Sequence, residues 1–166
     1  MNSDFASRFR RNKGAVIGLF VLSVVGIFAL FAPMLAGNDP WDMVQQPFLA
    51  PMAEPGLWLG TDALGRDVAA GLIHGARVSI LIGLVATVAA LLAGITVGAL
   101  AGYHGGWVDV VLMRFTELFQ AIPGFAFAVV LVAIFQPSVE SIVAAIALVS
   151  WPPVARLVRS EFMSLR

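Results

Sequence analysis

Residues 78–101 read VSILIGLVATVAALLAGITVGALA. The stretch carries no charge, and its only polar interruptions are Ser79, Thr87 and Thr96. A second uncharged run, Ala15 to Ala36, would be about 33 Å long as a helix at 1.5 Å per residue. Either run suits a hydrocarbon core of roughly 30 Å. Working outward, Val110 to Phe135 is a third apolar run with Arg114 and Glu117 near its start. A fourth, Ser141 to Val158, holds Trp151-Pro152-Pro153 and then Arg156. The expected fold is an all-α membrane protein with about four transmembrane helices and an external loop between the first two.

Composition points the same way. The chain is 60% hydrophobic and 12% charged, with a mean hydropathy of +0.92, whereas soluble domains carry roughly 25% charged residues. Formal net charge is zero, so no basic field invites nucleic acid. The absence of cysteine excludes disulfides, thiolate metal sites and a cysteine nucleophile.

The first run follows Arg8, Arg10, Arg11 and Lys13, as a signal peptide would. It exceeds the 7–15 apolar residues of a signal core, however, and bulky Met34 spoils the cleavage pattern at Ala36. A retained signal anchor is expected. Lysine and arginine favour the cytoplasmic side. The N-terminal segment is basic, while Asn38 to Arg77 holds only Arg66 and Arg77 against Asp39, Asp42, Glu54, Asp62 and Asp67. The N-terminus, the turn around His104 and the C-terminal arginines are therefore expected inside, and the long loop outside.

Within that loop Pro40, Pro47, Pro51 and Pro55 rule out a continuous helix. Thr61 or Asp62 is a candidate cap for a short surface helix that starts near Ala63 and leads into the second span. Asp62, Asp67 and His74 do not share one helical face, so capping and a solvated face are preferred over a metal site. In the second span Ala86, Ala90, Gly94, Gly98 and Gly102 recur every four residues, a stripe over which another helix can approach closely. Packing within the chain is preferred over a subunit interface, and Gly98→Leu is expected to disrupt assembly more than Val97→Leu. Arg114 and Glu117, three apart, are expected to pair. Pro123 should kink the third span. Irregular backbone at membrane depth must face protein or water, which makes Gln120 and Pro123 candidates to line a pathway.

Several chemistries are excluded. A phosphate-cradling P-loop needs Gly-Lys-Ser/Thr, and the only lysine, Lys13, follows Asn12. No G-x-S-x-G, H-E-x-x-H or Cys/His cluster is present. No catalytic residue, cofactor or metal is expected.

Resemblance adds what these arguments do not supply. Leu59-Gly60-Thr61-Asp62-Ala63-Leu64-Gly65-Arg66-Asp67-Val68, followed by Gly75-Ala76-Arg77-Val78-Ser79, resembles the signature of the dipeptide/oligopeptide/nickel permease family of ABC importers, in its C-type subunit. Ala101-Gly102-Tyr103, Gly105-Gly106-Trp107-Val108-Asp109, Leu112-Met113-Arg114, Ile122-Pro123, Pro137-Ser138 and Ala155-Arg156-Leu157-Val158-Arg159 continue it over essentially the whole chain. Two positions depart: Gly71, where the family often has arginine, and Gln136, where it often has glycine. Family members also continue past Leu165-Arg166 into the loop that docks the ATPase, so the chain is expected to be an incomplete type I transmembrane domain, unable to support ATP-driven uptake even beside its proper partners.

The resemblance implies a region 1–76 (basic segment, first span, external loop) followed by the first part of the permease domain, 77–166. It implies membrane lipid, a homologous permease chain as heterodimeric partner, two ATPase subunits, a periplasmic solute-binding protein and a peptide or other small solute as partners. It places Gly60, Thr61, Asp62, Gly65, Arg66 and Asp67 in a family signature, and Arg156, Arg159 and Glu161 at the start of the ATPase-coupling segment. The rival readings are a channel or scaffold without a motor, and a membrane-embedded enzyme.

Overall fold

The computed structural model describes residues 9–37 and 39–165; Arg8, Asn38 and Arg166 lie outside them. The elements are α1 (Lys13–Leu30), α2 (Ala32–Leu35), α3 (Val68–His104), α4 (Gly106–Gln120), α5 (Gly124–Phe135) and α6 (Val139–Ser164). Among the described residues β pairing is confined to two isolated bridges, Met43 with Arg66 and Thr61 with Asp67. The chain divides into two compact units, Met1–Ile80 and Leu81–Arg166. Among the described residues three helices, α1, α3 and α6, are long and apolar enough to cross a membrane, and a fourth span is made if α4 and α5 count together.

In the first unit, Asn12 caps α1 by accepting the Ala15 N–H at 3.1 Å, which satisfies a donor that the helix start leaves open. Beyond Leu30 the run breaks at Phe31, and Pro33 stands in the first turn of α2, where proline costs nothing. Ile17, Phe20, Leu22 and Leu30 all lie outward and exposed, as on a helix whose surface meets lipid. The expectation of a separate surface helix near Ala63 is corrected: one helix of 37 residues starts at Val68. Its cap is neither Thr61 nor Asp62. Asp67 accepts the N–H groups of Ala69 and Ala70 at 2.8 and 3.3 Å. Residues 60–66 cannot be helical, because Gly60 and Gly65 hold φ of +73° and +78°.

The second unit is built on small residues. Ala86 and Ala90 are buried, and Gly94, Gly98 and Gly102 bring the α3 backbone against α6. A Cβ on Gly94 would lie 2.6 Å from Val154 Cβ, and one on Gly102 2.6 Å from Phe162 Cβ. On Gly98 it would run into the Ala155 carbonyl oxygen. The stripe is thus covered inside the chain. Ala90, Trp151 and Ala155 form the buried cluster, with Val97 and Phe119 packed against it. Phe119 meets Trp151 edge-on at 5.3 Å and Phe115 at 5.1 Å, the geometry aromatic quadrupoles favour. Pro152 and Pro153 sit within α6 without ending it; Pro152 is fully buried.

The third apolar run is not one helix. α4 and α5 diverge by 79° at the break between Gln120 and Gly124. Pro123 has no N–H to continue α4, and its extended ψ of 121° starts α5 afresh. At the other end of α5, Gln136 holds φ +67° and ψ 145°, a region essentially reserved for glycine. The glycine that the resemblance leads one to expect at this position would adopt that conformation without strain. Gln136→Gly is expected to raise stability by about 1 kcal/mol, read as a higher melting temperature in detergent. Gln136→Ala should bring no such gain.

Candidate functional site

The signature residues of the external loop fold it rather than line a reactive site. The Thr61 hydroxyl accepts the Leu49 N–H at 2.9 Å and donates to the Gln46 carbonyl at 2.6 Å. Asp62 Oδ1 accepts the N–H groups of Leu64 and Arg66 at 2.8 and 3.0 Å, and Oδ2 accepts Arg66 Nε at 2.7 Å. An aspartate that gathers backbone donors two and four residues on closes a turn in place of a helix. The Arg66 guanidinium then lies over the Trp41 ring at 5.6 Å, a cation–π contact. Cβ atoms on Gly60 and Gly65 would run into the carbonyl oxygens of Leu49 and Gln45. Each signature position thus has a local mechanical reason.

Gly65→Ala should expose the loop to limited proteolysis, since it adds both backbone strain of about 1–2 kcal/mol and a collision. Gly56→Ala shares the positive φ but has open space around it, so it should show the strain alone. Equal cleavage of the two would mean that the approach to Gln45 is unimportant.

Hydrogen bonds from the Arg66 backbone and then its side chain hold the Asp62 carboxyl down at about 2. The folded value lies below the ordinary aspartate value of about 3.9. The contribution of Asp62 is therefore complete above that value and is lost as pH falls toward 2. Protease resistance of the loop should stay level from pH 8 to 5, and Asp62→Asn should lower it throughout that range.

Asp62, Asp67 and His74 are engaged separately. Asp62 pairs with Arg66, Asp67 caps α3, and His74 Nδ1 lies 3.1 Å from the Ala70 carbonyl oxygen. Among the described residues no group of histidine and carboxylate side chains could hold a metal ion. Within the first unit, a cleft of about 1120 Å³ that Asp67 also lines is walled mainly by apolar side chains, Phe28, Leu35, Leu57, Trp58 and Ile73 among them.

In the second unit Gln120 ends α4 at the break. Its Nε2 is buried and has no hydrogen-bond partner among the described residues, while Pro123 is exposed. Gly124 comes against α6 at Val149, which seats the start of α5. Arg114 and Glu117 pair at 3.0 Å on an exposed face. The three coupling candidates separate. Arg156 and Glu161 are exposed, with no ion pair among the described residues. Arg159 reaches back to Asp109, donating from Nη2 to Oδ2 at 2.5 Å and from Nε to Oδ1. Asp109 was legible only as a member of the Gly105–Asp109 motif. Its partner lies 50 residues away, and no periodicity connects them.

Comparison with known proteins supplies the family. A family model described as the N-terminal transmembrane domain of oligopeptide transport permease C matches residues 2–55. Another, described as the binding-protein-dependent transport system inner membrane component, matches residues 94–166. The dipeptide transport system permease protein DppC of Alkalihalophilus pseudofirmus is 38% identical over 164 residues, covering 96% of this chain and 52% of that protein. The di/tripeptide permease protein DppC of Pseudomonas aeruginosa is 40% identical over 97% of this chain and 55% of its own length. The oligopeptide permease protein OppC of Bacillus subtilis is 33% identical over 98% and 53%. The chain thus spans about half the length of the curated relatives it matches. With its apolar helices, this makes it a multi-pass inner-membrane protein. It belongs to the inner-membrane components of binding-protein-dependent transport systems, in the C-type branch of the peptide permeases.

Proposed function

We propose that this chain contributes to one side of a peptide translocation pathway in an ABC importer, lining it at the break between α4 and α5. The observation that carries this reading is the break itself. Its sharply bent, irregular backbone and the Gln120 amide, unpartnered among the described residues, are tolerable in a membrane only against protein or water. The permease names of the relatives supply the peptide class. On this reading a homologous permease chain forms the other side, a solute-binding protein delivers peptide from outside, and two ATPase subunits act on the cytoplasmic face.

The chain carries out no covalent chemistry; it offers peptide different contacts in outward- and inward-open states. Arg156 and Glu161, exposed on the last turns of α6, are the side chains free to meet an ATPase. The N-terminus lies in the cytoplasm and residues 39–77 outside, as the distribution of lysine and arginine favours.

The test is uptake by the full-length permease in proteoliposomes with its partner chain, ATPases and binding protein. Labelled dipeptide should accumulate only with ATP, and Gln120→Ala should reduce uptake several-fold with the ATPase rate retained. Peptide flux indifferent to ATP would overturn the importer reading. Residues 1–166 hold no cysteine, so in a permease cleared of any other cysteine the orientation is read directly: Ala53→Cys should react with an impermeant thiol reagent on whole cells and Ser160→Cys should not.

A further inference from the structure

The most specific contact between α4 and α6 is one the translocation reading leaves unused. α3 ends at His104, and Gly105 and Gly106, with φ of +65° and +55°, turn the chain straight into α4. That turn sets Asp109 on the first turn of α4, where the helix dipole favours a negative charge. From α6, Arg159 meets it with both fork nitrogens on both carboxylate oxygens. The Asp109 and Arg159 side chains are 13% and 31% exposed, so the pair is largely withdrawn from water.

This differs in kind from Arg114–Glu117, whose side chains are 78% and 58% exposed and which joins neighbours on one helix, an arrangement of little energetic consequence. The Asp109–Arg159 fork joins two helices, and a bidentate fork fixes orientation as well as distance. Close by, Gly102 abuts the Arg159 backbone and Phe162, so the end of α3 meets the same point of α6. α4 then runs unbroken from Asp109 to Gln120, where the 79° break begins.

We infer that Asp109 and Arg159 form a latch that makes the end of α6 and the start of α4 move together, so that displacement of the Arg156–Glu161 segment, through its exposed Arg156 and Glu161 side chains, reaches the helix break at Gln120. The inference rests on the permease reading for the origin of that displacement. Neither residue touches solute; both are positioning residues. Arginine is required at 159, because lysine keeps the charge but cannot present two parallel donors.

The experiment uses the full-length permease in its assembled complex, with spin labels on cysteines at Val111 and Ser160. Both positions are exposed. Arg159→Lys, Asp109→Asn and the exchange Asp109→Arg/Arg159→Asp are compared with the unaltered protein by distance distribution and by ATP hydrolysed per peptide moved. A narrow distance in the unaltered protein should broaden in both single variants. ATP used per peptide should rise at least fivefold while the hydrolysis rate is retained. The exchange should recover much of both, though not all, because arginine at 109 opposes the α4 dipole.

A native distance in Arg159→Lys would overturn the latch. A broadened distance with unchanged coupling would reduce the pair to a strut and overturn its positioning role. Should Asp109→Asn fail to assemble, Arg159→Lys still decides. Absence of ATP-driven uptake by the unaltered complex would sink the permease reading and the coupling role with it, while the distance measurement would separately decide whether the latch exists.

Discussion

Gly98→Leu should unseat α6 from α3 and lower the melting temperature of the full-length permease in detergent by on the order of 10 °C, if it assembles at all. Over-packing a well-fitted core costs about 1–3 kcal/mol where neighbours can yield. Here the first added atom meets the Ala155 carbonyl oxygen and then Val158 Cβ at 2.9 Å. That carbonyl belongs to helix backbone and cannot swing aside. The loss should therefore stand at or above about 3 kcal/mol, and each kcal/mol lowers the melting point by about 2–4 °C in a chain of roughly 150–250 residues and by somewhat less in a longer one. Val97→Leu is a poor control, because Val97 packs against the Trp151 cluster. Val88, 49% exposed, is the better one, and Val88→Leu should leave the melting point within about 2 °C. Equal behaviour of the two variants would mean that the seam between α3 and α6 is loose. Small residues matter here because apolar side chains gain little by leaving lipid for protein; close backbone approach and dispersion hold membrane helices together.

Trp151→Ala is the second large effect. Trp151 is 5% exposed and touches both Phe115 and Phe119, at 6.1 and 5.3 Å between ring centres. Removing an indole from such a site leaves a cavity, and large-to-small changes of this kind cost about 3–5 kcal/mol in soluble cores. In lipid the transfer part of that cost shrinks, since the unpacked ring would still meet hydrocarbon. The cavity part remains, so about 3 kcal/mol is expected. Trp107→Ala removes an indole that is 76% exposed and should change stability by less than about 0.5 kcal/mol. Phe119 also contacts Phe127 at 6.2 Å. Trp151→Ala should therefore loosen α5 as well, seen as faster hydrogen exchange across residues 124–135. Exchange confined to α6 would show that the cluster does not tie α5 down.

The sequence by itself determined that this is a helical membrane protein, because uncharged runs such as Ala15–Ala36 and Val78–Ala101 have no other stable place in water or lipid. It also determined the small-residue stripe, since a four-residue period puts Gly94, Gly98 and Gly102 on one face without knowledge of any partner. The signature of the external loop was readable as a motif, and so was the family it resembles. Tertiary structure decided what the stripe meets: α6 is brought there by the chain path, which local periodicity does not encode. It decided that residues 60–66 form a turn instead of a helix, because two left-handed glycines and the Asp62 carboxylate claim the backbone donors first. It set the size of the bend at Pro123; proline forbids the continuing hydrogen bond, but where α5 goes is fixed by packing, at Gly124 against Val149 and at Phe127 against Phe119. And it paired Asp109 with Arg159 across 50 residues. In the sequence Asp109 stood only within the Gly105–Asp109 motif and Arg159 only among the coupling candidates, and it is the fold, by withdrawing both side chains from most of the water around them, that turns the two into a single contact.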